Sequence, residues 1–118
     1  MMDLPIPFTE KLPTEQHTAF LKKLTDQIAK DLYPLEWPAV PDEPTPTWIV
    51  QKLHKSIEDL LENHSSLLGS ILYRIDISEV KIRGLMEQAA VGDRPRVLAQ
   101  QILEREAQKV WMRMHYSS

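Results

Sequence analysis

A long run of apolar residues at helical spacing constrains the fold of this chain more than any other feature of it. The run has eight positions at intervals of three or four: Ile49, Leu53, Ile57, Leu60, His64, Leu67, Ile71 and Ile75. At 100° per residue these positions share an arc of about 80° on one helix face. Thr45 followed by Pro46 is typical of a helix start. The phase does not slip, so the pattern predicts one helix from 46 to about 76. Two collinear helices broken at Ser65 are the alternative.

Shorter periodic patterns predict three further helices around this long one. They cover residues 15–33, residues 79–90, and the chain from Asp93 towards its end. Five prolines between residues 34 and 46 predict a stiff extended strap, since proline cannot continue a helix. We therefore expect an all-α fold: a small bundle of about four helices around one long central helix, with a Pro-rich connection between helices 1 and 2.

Length and composition predict one helical domain over residues 1–118, with residues 1–13 as an extended lead-in. The absence of cysteine excludes disulfides, thiol nucleophiles and thiolate metal sites. The N-terminus lacks the basic and apolar regions of a signal peptide, and no apolar run reaches membrane length. These features predict a cytoplasmic location and no membrane partner.

His64 is the one residue that invites a catalytic mechanism, because a histidine within a helical bundle can carry a phosphoryl group. The stretch from His64 to Ser70 bears a faint likeness to the histidine-phosphotransfer signature, but it lacks the nearby lysine and its glycine is displaced. A phosphohistidine without a cation is poorly stabilised. We therefore expect a partly buried, hydrogen-bonded His64 and keep phosphotransfer as an alternative.

Charge is distributed unevenly along the chain, although the net charge is only −3. All six arginines lie in the C-terminal part: Arg74, Arg83, Arg94, Arg96, Arg105 and Arg113. A helix-turn-helix built from residues 79–90 and 94–113 is a second alternative, with nucleic acid as its partner. Glu104 and Glu106 are predicted on the polar face of the last helix, and the basic charge is weak. Nucleic-acid binding is therefore not the favoured function.

One segment of the predicted long helix carries no charge at all. From Asn63 to Tyr73 there is no Asp, Glu, Lys or Arg, although the preceding segment is rich in acidic residues and lysine. The side away from the apolar stripe presents small or uncharged residues, with one arginine at the end. This candidate interface consists of Ser66, Gly69, Ser70, Tyr73 and Arg74. Either the last helix of the same chain covers it, or another protein or a second copy does.

Two stretches resemble a group of small all-helical bacterial proteins without assigned function. They are Leu72-Tyr73-Arg74-Ile75-Asp76 with Ser78-Glu79, and Ile102-Leu103-Glu104-Arg105-Glu106 with Gln108-Lys109. The resemblance covers roughly the C-terminal half. It implies a helical fold and a bacterial source, and it assigns no active-site residue.

The sequence contains no nucleophile–base pair, metal-ligand cluster or phosphate-binding glycine loop. We therefore predict no catalytic residue, no metal and no cofactor. The favoured function is a non-enzymatic interaction or regulatory protein.

Overall fold

The computed structural model describes residues 12–116, which fold into five α-helices without a strand among them. The helices are α1 (His17–Leu32), α2 (Pro46–Asn63), α3 (Leu68–Ile75), α4 (Glu79–Gln88) and α5 (Arg94–Tyr116). Short 3-10 turns precede α1, α3 and α5. The prediction of an all-α helical bundle is confirmed. Of the predicted lead-in, residues 1–11 lie outside the described part of the chain.

The helix at the centre of the bundle is α5, which packs against α1, α2, α3 and α4. Its buried face consists of Leu98, Ala99, Ile102, Leu103, Glu106, Ala107 and Val110. Helix α1 turns Leu24, Ile28 and Leu32 towards the same core, at the spacing that the sequence indicates. The apolar residues of all five helices thus form one continuous core.

The prediction of one long helix from 46 to 76 is wrong, and the alternative of two helices is the one observed. Helix α2 ends at Asn63, and His64 adopts φ −138° and ψ 34°, which is not helical. A 3-10 turn over Ser65–Leu67 then leads into α3. A continuous helix would have placed the polar His64 ring on the core face. The break instead leaves it in solvent and lets α3 bury Leu68 and Ile71.

Side-chain caps fix the starts of α2 and α4, while a left-handed residue ends α3. The hydroxyl of Thr45 accepts from Trp48 N at 3.1 Å, and that of Ser78 accepts from Lys81 N at 3.2 Å. Asp76 closes α3 at φ 71°, with its amide bonded to Leu72 O and Tyr73 O. These bonds set the sharp corner between α3 and α4.

The strap between α1 and α2 has no regular structure, as its prolines predict. Leu35 is buried in the core, and Trp37 packs edge-on against Trp48 with ring centroids 6.1 Å apart. Val40, further along the strap, is exposed. Leu35 and Trp37 are therefore the contacts that hold the strap on the bundle.

Candidate functional site

The candidate interface lies on one exposed side of α3 and the turn before it, and we call it the α3 surface (Ser66, Gly69, Ser70, Tyr73 and Arg74). Ser66 and Ser70 are exposed, and Tyr73 is exposed to 87% of its full extent. The opposite side of α3 enters the core. Helix α5 therefore does not cover the α3 surface, contrary to the interpretation that the last helix of the chain would do so.

Gly69 lies where the start of α4 approaches α3. A Cβ placed on Gly69 would be 2.9 Å from Oε1 of Glu79. The approaching group is thus the end of a flexible side chain, which is itself paired with Arg83 at 2.7 Å. The missing side chain at Gly69 makes room for this ion pair and not for the backbone of another helix of the chain.

Arg74 marks the edge of the α3 surface and ties it to α1. Its Nη1 atom donates to the carbonyl oxygens of Asp31, at 3.0 Å, and Tyr33. Both carbonyls belong to the C-terminal end of α1, where unpaired backbone oxygens favour a cation. Arg74 therefore acts as a cap for α1, and its side chain fixes the orientation of α3.

Most of the other arginines are engaged within the molecule in the same way. Arg94 donates to Met86 O near the end of α4, and Arg105 donates to both the carbonyl and the carboxylate of Asp76. Arg83 pairs with Glu79, and Arg113 donates to Gln27 Oε1 at 2.9 Å. These contacts give five of the six arginines a structural role, so most of the arginine charge on which the nucleic-acid alternative depends is already engaged within the molecule.

His64 is exposed, so the prediction of a partly buried histidine is wrong. Its Nε2 atom lies 3.6 Å from Oδ2 of Asp59. A phosphoryl group on this imidazole would stand beside a carboxylate, and the two negative charges would repel each other. The geometry therefore disfavours a phosphohistidine at this position.

A mostly buried group of three ionisable side chains and one amide joins α1 to α5, and we call it the carboxyl cluster (Gln27, Asp31, Glu106 and Lys109). Lys109 Nζ donates to Asp31 Oδ2 at 2.7 Å and to Glu106 Oε1 at 3.3 Å. Gln27 Nε2 donates to the same Asp31 oxygen at 2.8 Å. Glu106 has no exposed surface, so its predicted place on the polar face is wrong.

The two carboxyl groups of the cluster have pKa values displaced in opposite directions. Burial and the neighbouring Asp31 raise the pKa of Glu106 to about 8. Burial also raises the pKa of Asp31, but hydrogen bonds from Glu106, Lys109 and Gln27 outweigh it and bring the pKa below its ordinary value. At neutral pH the cluster therefore contains an ionised Asp31 and a protonated Glu106.

The cluster is enclosed by helices, whereas catalytic groups must be open to a substrate. Among residues 12–116, no three side chains of the metal-binding types converge on one point. None of the described helices combines the length and the hydropathy needed to cross a membrane. The α3 surface remains the best candidate for contact with another molecule.

Comparison of the chain with protein-family models, curated proteins and solved structures yields no match. The resemblance to small bacterial helical proteins therefore stays a prediction. Several residues that carry it have structural roles here: Arg74 caps α1, Asp76 closes α3, and Glu106 and Lys109 belong to the carboxyl cluster.

Proposed function

We propose that this protein works without catalysis, by binding a polypeptide through the α3 surface. The observation that supports the proposal is the exposure of Tyr73 on a helix face whose neighbouring Ser66, Gly69 and Ser70 carry no charge. Tyrosine is enriched in protein interfaces because it buries a large ring while its hydroxyl stays hydrogen-bonded. An exposed helix face of a free monomer is ordinarily charged.

Two further exposed apolar residues border the same region. Tyr33 is exposed, and its carbonyl oxygen is held by Arg74. Val80, also exposed, directly follows Glu79, whose carboxylate lies against Gly69. Exposed apolar side chains thus also occur at the end of α1 and at the start of α4, the two segments that contact the α3 surface, which suits an interface wider than one helix.

A second copy of this chain is the partner that we propose for the α3 surface. The centre of the surface is uncharged, while its margins carry Arg74 on one side and the Glu79–Arg83 pair on the other. A twofold axis through the centre of the surface brings each margin of one copy against the opposite margin of the other copy. Because the two margins differ in charge, this arrangement avoids like-charge repulsion. The small side chains of Ser66 and Ser70 allow the two α3 helices to approach closely.

The cytoplasmic location and the bacterial source are part of the same proposal. The bacterial source is supported by the resemblance of the C-terminal half given above.

Sedimentation velocity over a hundredfold range of protein concentration tests the proposed association. We expect the wild type to shift from monomer to dimer, and Tyr73→Ala to weaken the dimer at least tenfold, which equals about 1.4 kcal/mol. Ser70→Arg should abolish the dimer, because the two introduced arginines would face each other across the twofold axis and repel.

Tyr116→Ala is the matched control, since Tyr116 is an equally exposed tyrosine near the end of α5. It should leave the sedimentation profile unchanged. A wild type that stays monomeric throughout the range, or equal effects of Tyr73→Ala and Tyr116→Ala, would contradict the proposal.

A further inference from the structure

The carboxyl cluster has a charge balance that requires a proton. Two carboxyl groups, Asp31 and Glu106, contact a single ammonium group, that of Lys109. Oε2 of Glu106 is buried without a hydrogen-bond partner. If both carboxyl groups were ionised, one negative charge would be left buried and unpaired, which is strongly unfavourable.

The other charged groups around the cluster do not supply the missing cation. From α5, Arg113 reaches only the amide oxygen of Gln27, and Arg105 is bound to Asp76 at the end of α3. From α3, Arg74 donates to backbone carbonyls of α1. Lys30, next to Asp31 on α1, is exposed. Protonation of one carboxyl group is therefore the way in which the cluster balances its charge.

The position of the cluster makes this proton important for the packing of three helices. Asp31 and Gln27 belong to α1, and Glu106 and Lys109 to α5. Lys109 Nζ additionally donates to Ile75 O, at 3.3 Å, in the last turn of α3. The same ammonium group thus bonds to α1 and α3 from α5, and it can do so without an uncompensated charge only while the proton is present.

We propose that Asp31 and Glu106 form a proton-dependent latch, which holds α5 against α1 and α3 while the pair shares one proton and loosens when that proton is lost. With the proton on Glu106, its carboxyl group is neutral, and the single remaining carboxylate, that of Asp31, is paired with the Lys109 ammonium group. Without it, the two carboxylates repel each other in a mostly buried site. The middle of α5 then separates from α1 more readily.

The direction of the pH dependence follows from the two states of Glu106. Its pKa is about 8 in the closed latch, against 4.5 for an ordinary glutamate. Between these two values the closed form binds the proton and the open form does not. The opening equilibrium should therefore rise by about tenfold per pH unit from pH 5 to pH 8 and level off above pH 8. Ionised Asp31 has the opposite dependence, but only in the acidic range, because its pKa is lowered.

Carboxyl carbon NMR on the wild-type protein tests the shared proton directly. The Cδ resonance of Glu106 should titrate between pH 7 and pH 9. A midpoint between pH 4 and pH 5 would overturn the proposal, and this measurement does not depend on whether any variant folds.

Hydrogen exchange of the α5 amides, corrected for the intrinsic pH dependence of exchange, tests the opening. We expect the open population around Glu106 to grow roughly a few hundredfold from pH 5 to pH 8 in the wild type. Glu106→Gln should remove this growth, since glutamine does not titrate in this range. Glu104→Gln is the matched control, because Glu104 is exposed on the same helix, and it should behave as the wild type. Equal pH dependence in wild type and Glu106→Gln would overturn the latch.

Discussion

Lys109→Met is expected to lower the free energy of unfolding by about 3 kcal/mol or more at pH 7.5. Methionine keeps most of the length of lysine but leaves Asp31 and Glu106 buried together without a cation, and it removes the bond to Ile75 O. Removing one partner of a buried ion pair lowers the free energy of unfolding by about 3–5 kcal/mol, because the charge of the other partner is left uncompensated. Urea unfolding followed by circular dichroism measures the loss.

The pH dependence of the Lys109→Met loss gives a second check. Without the ammonium group both carboxyl groups become harder to ionise, so acidification should relieve part of the destabilisation. We expect a smaller loss at pH 5 than at pH 8. Lys81→Met is the control, since Lys81 is an exposed lysine of α4, and it should change stability by less than about 0.5 kcal/mol. A Lys109→Met protein as stable as this control would show that the cluster does not hold the bundle together.

A pair of serine-to-proline replacements should differ sharply in their effect on stability. Ser56 lies in the middle of α2, where proline removes a backbone hydrogen bond and clashes with the preceding turn, at a cost of about 3 kcal/mol or more. Ser65 is the first residue of the 3-10 turn after the break at His64. Proline is tolerated at such a position, so Ser65→Pro should cost about 1 kcal/mol, mainly from the restriction it places on His64.

Thermal and urea unfolding of the two proline variants measure this difference under identical conditions. Both variants replace a serine with a proline and so lose the same kind of side chain. Each variant is therefore the control for the other. A cost at Ser65 as large as that at Ser56 would indicate a continuous helix through His64, as the apolar periodicity alone predicts.

Much of the fold could be predicted from sequence because apolar periodicity, caps and prolines act locally. The spacing of Leu24, Ile28 and Leu32 indicates α1, and Thr45-Pro46 marks the start of α2. The break at His64 could not be predicted from phase. A short 3-10 turn separates α2 from α3, but both helices bury their apolar faces in one core. The apolar periodicity therefore continues across the turn.

The candidate interface and the carboxyl cluster differ in how visible they are in the sequence. The α3 surface can be recognised in the sequence as a segment without charged residues. Its exposure could not be predicted, because it depends on which side of α3 faces the core. The sequence analysis does not predict the cluster, because it places Glu106 on the polar face of the last helix and no pattern singles out Asp31. A signal was present: Glu106 lies four residues from both Ile102 and Val110, within the apolar stripe of α5. Only the structure shows that Lys109 meets both carboxyl groups.

The central claim is that the α3 surface is where this protein meets its partner. Amide NMR spectra recorded at increasing protein concentration test it residue by residue. We predict concentration-dependent shifts at Ser66, Gly69, Ser70 and Tyr73, with smaller shifts at Tyr33 and Val80 and none at the exposed Val91 on the 3-10 turn before α5. Shifts centred on another surface, or an invariant spectrum across the concentration range, would contradict the claim.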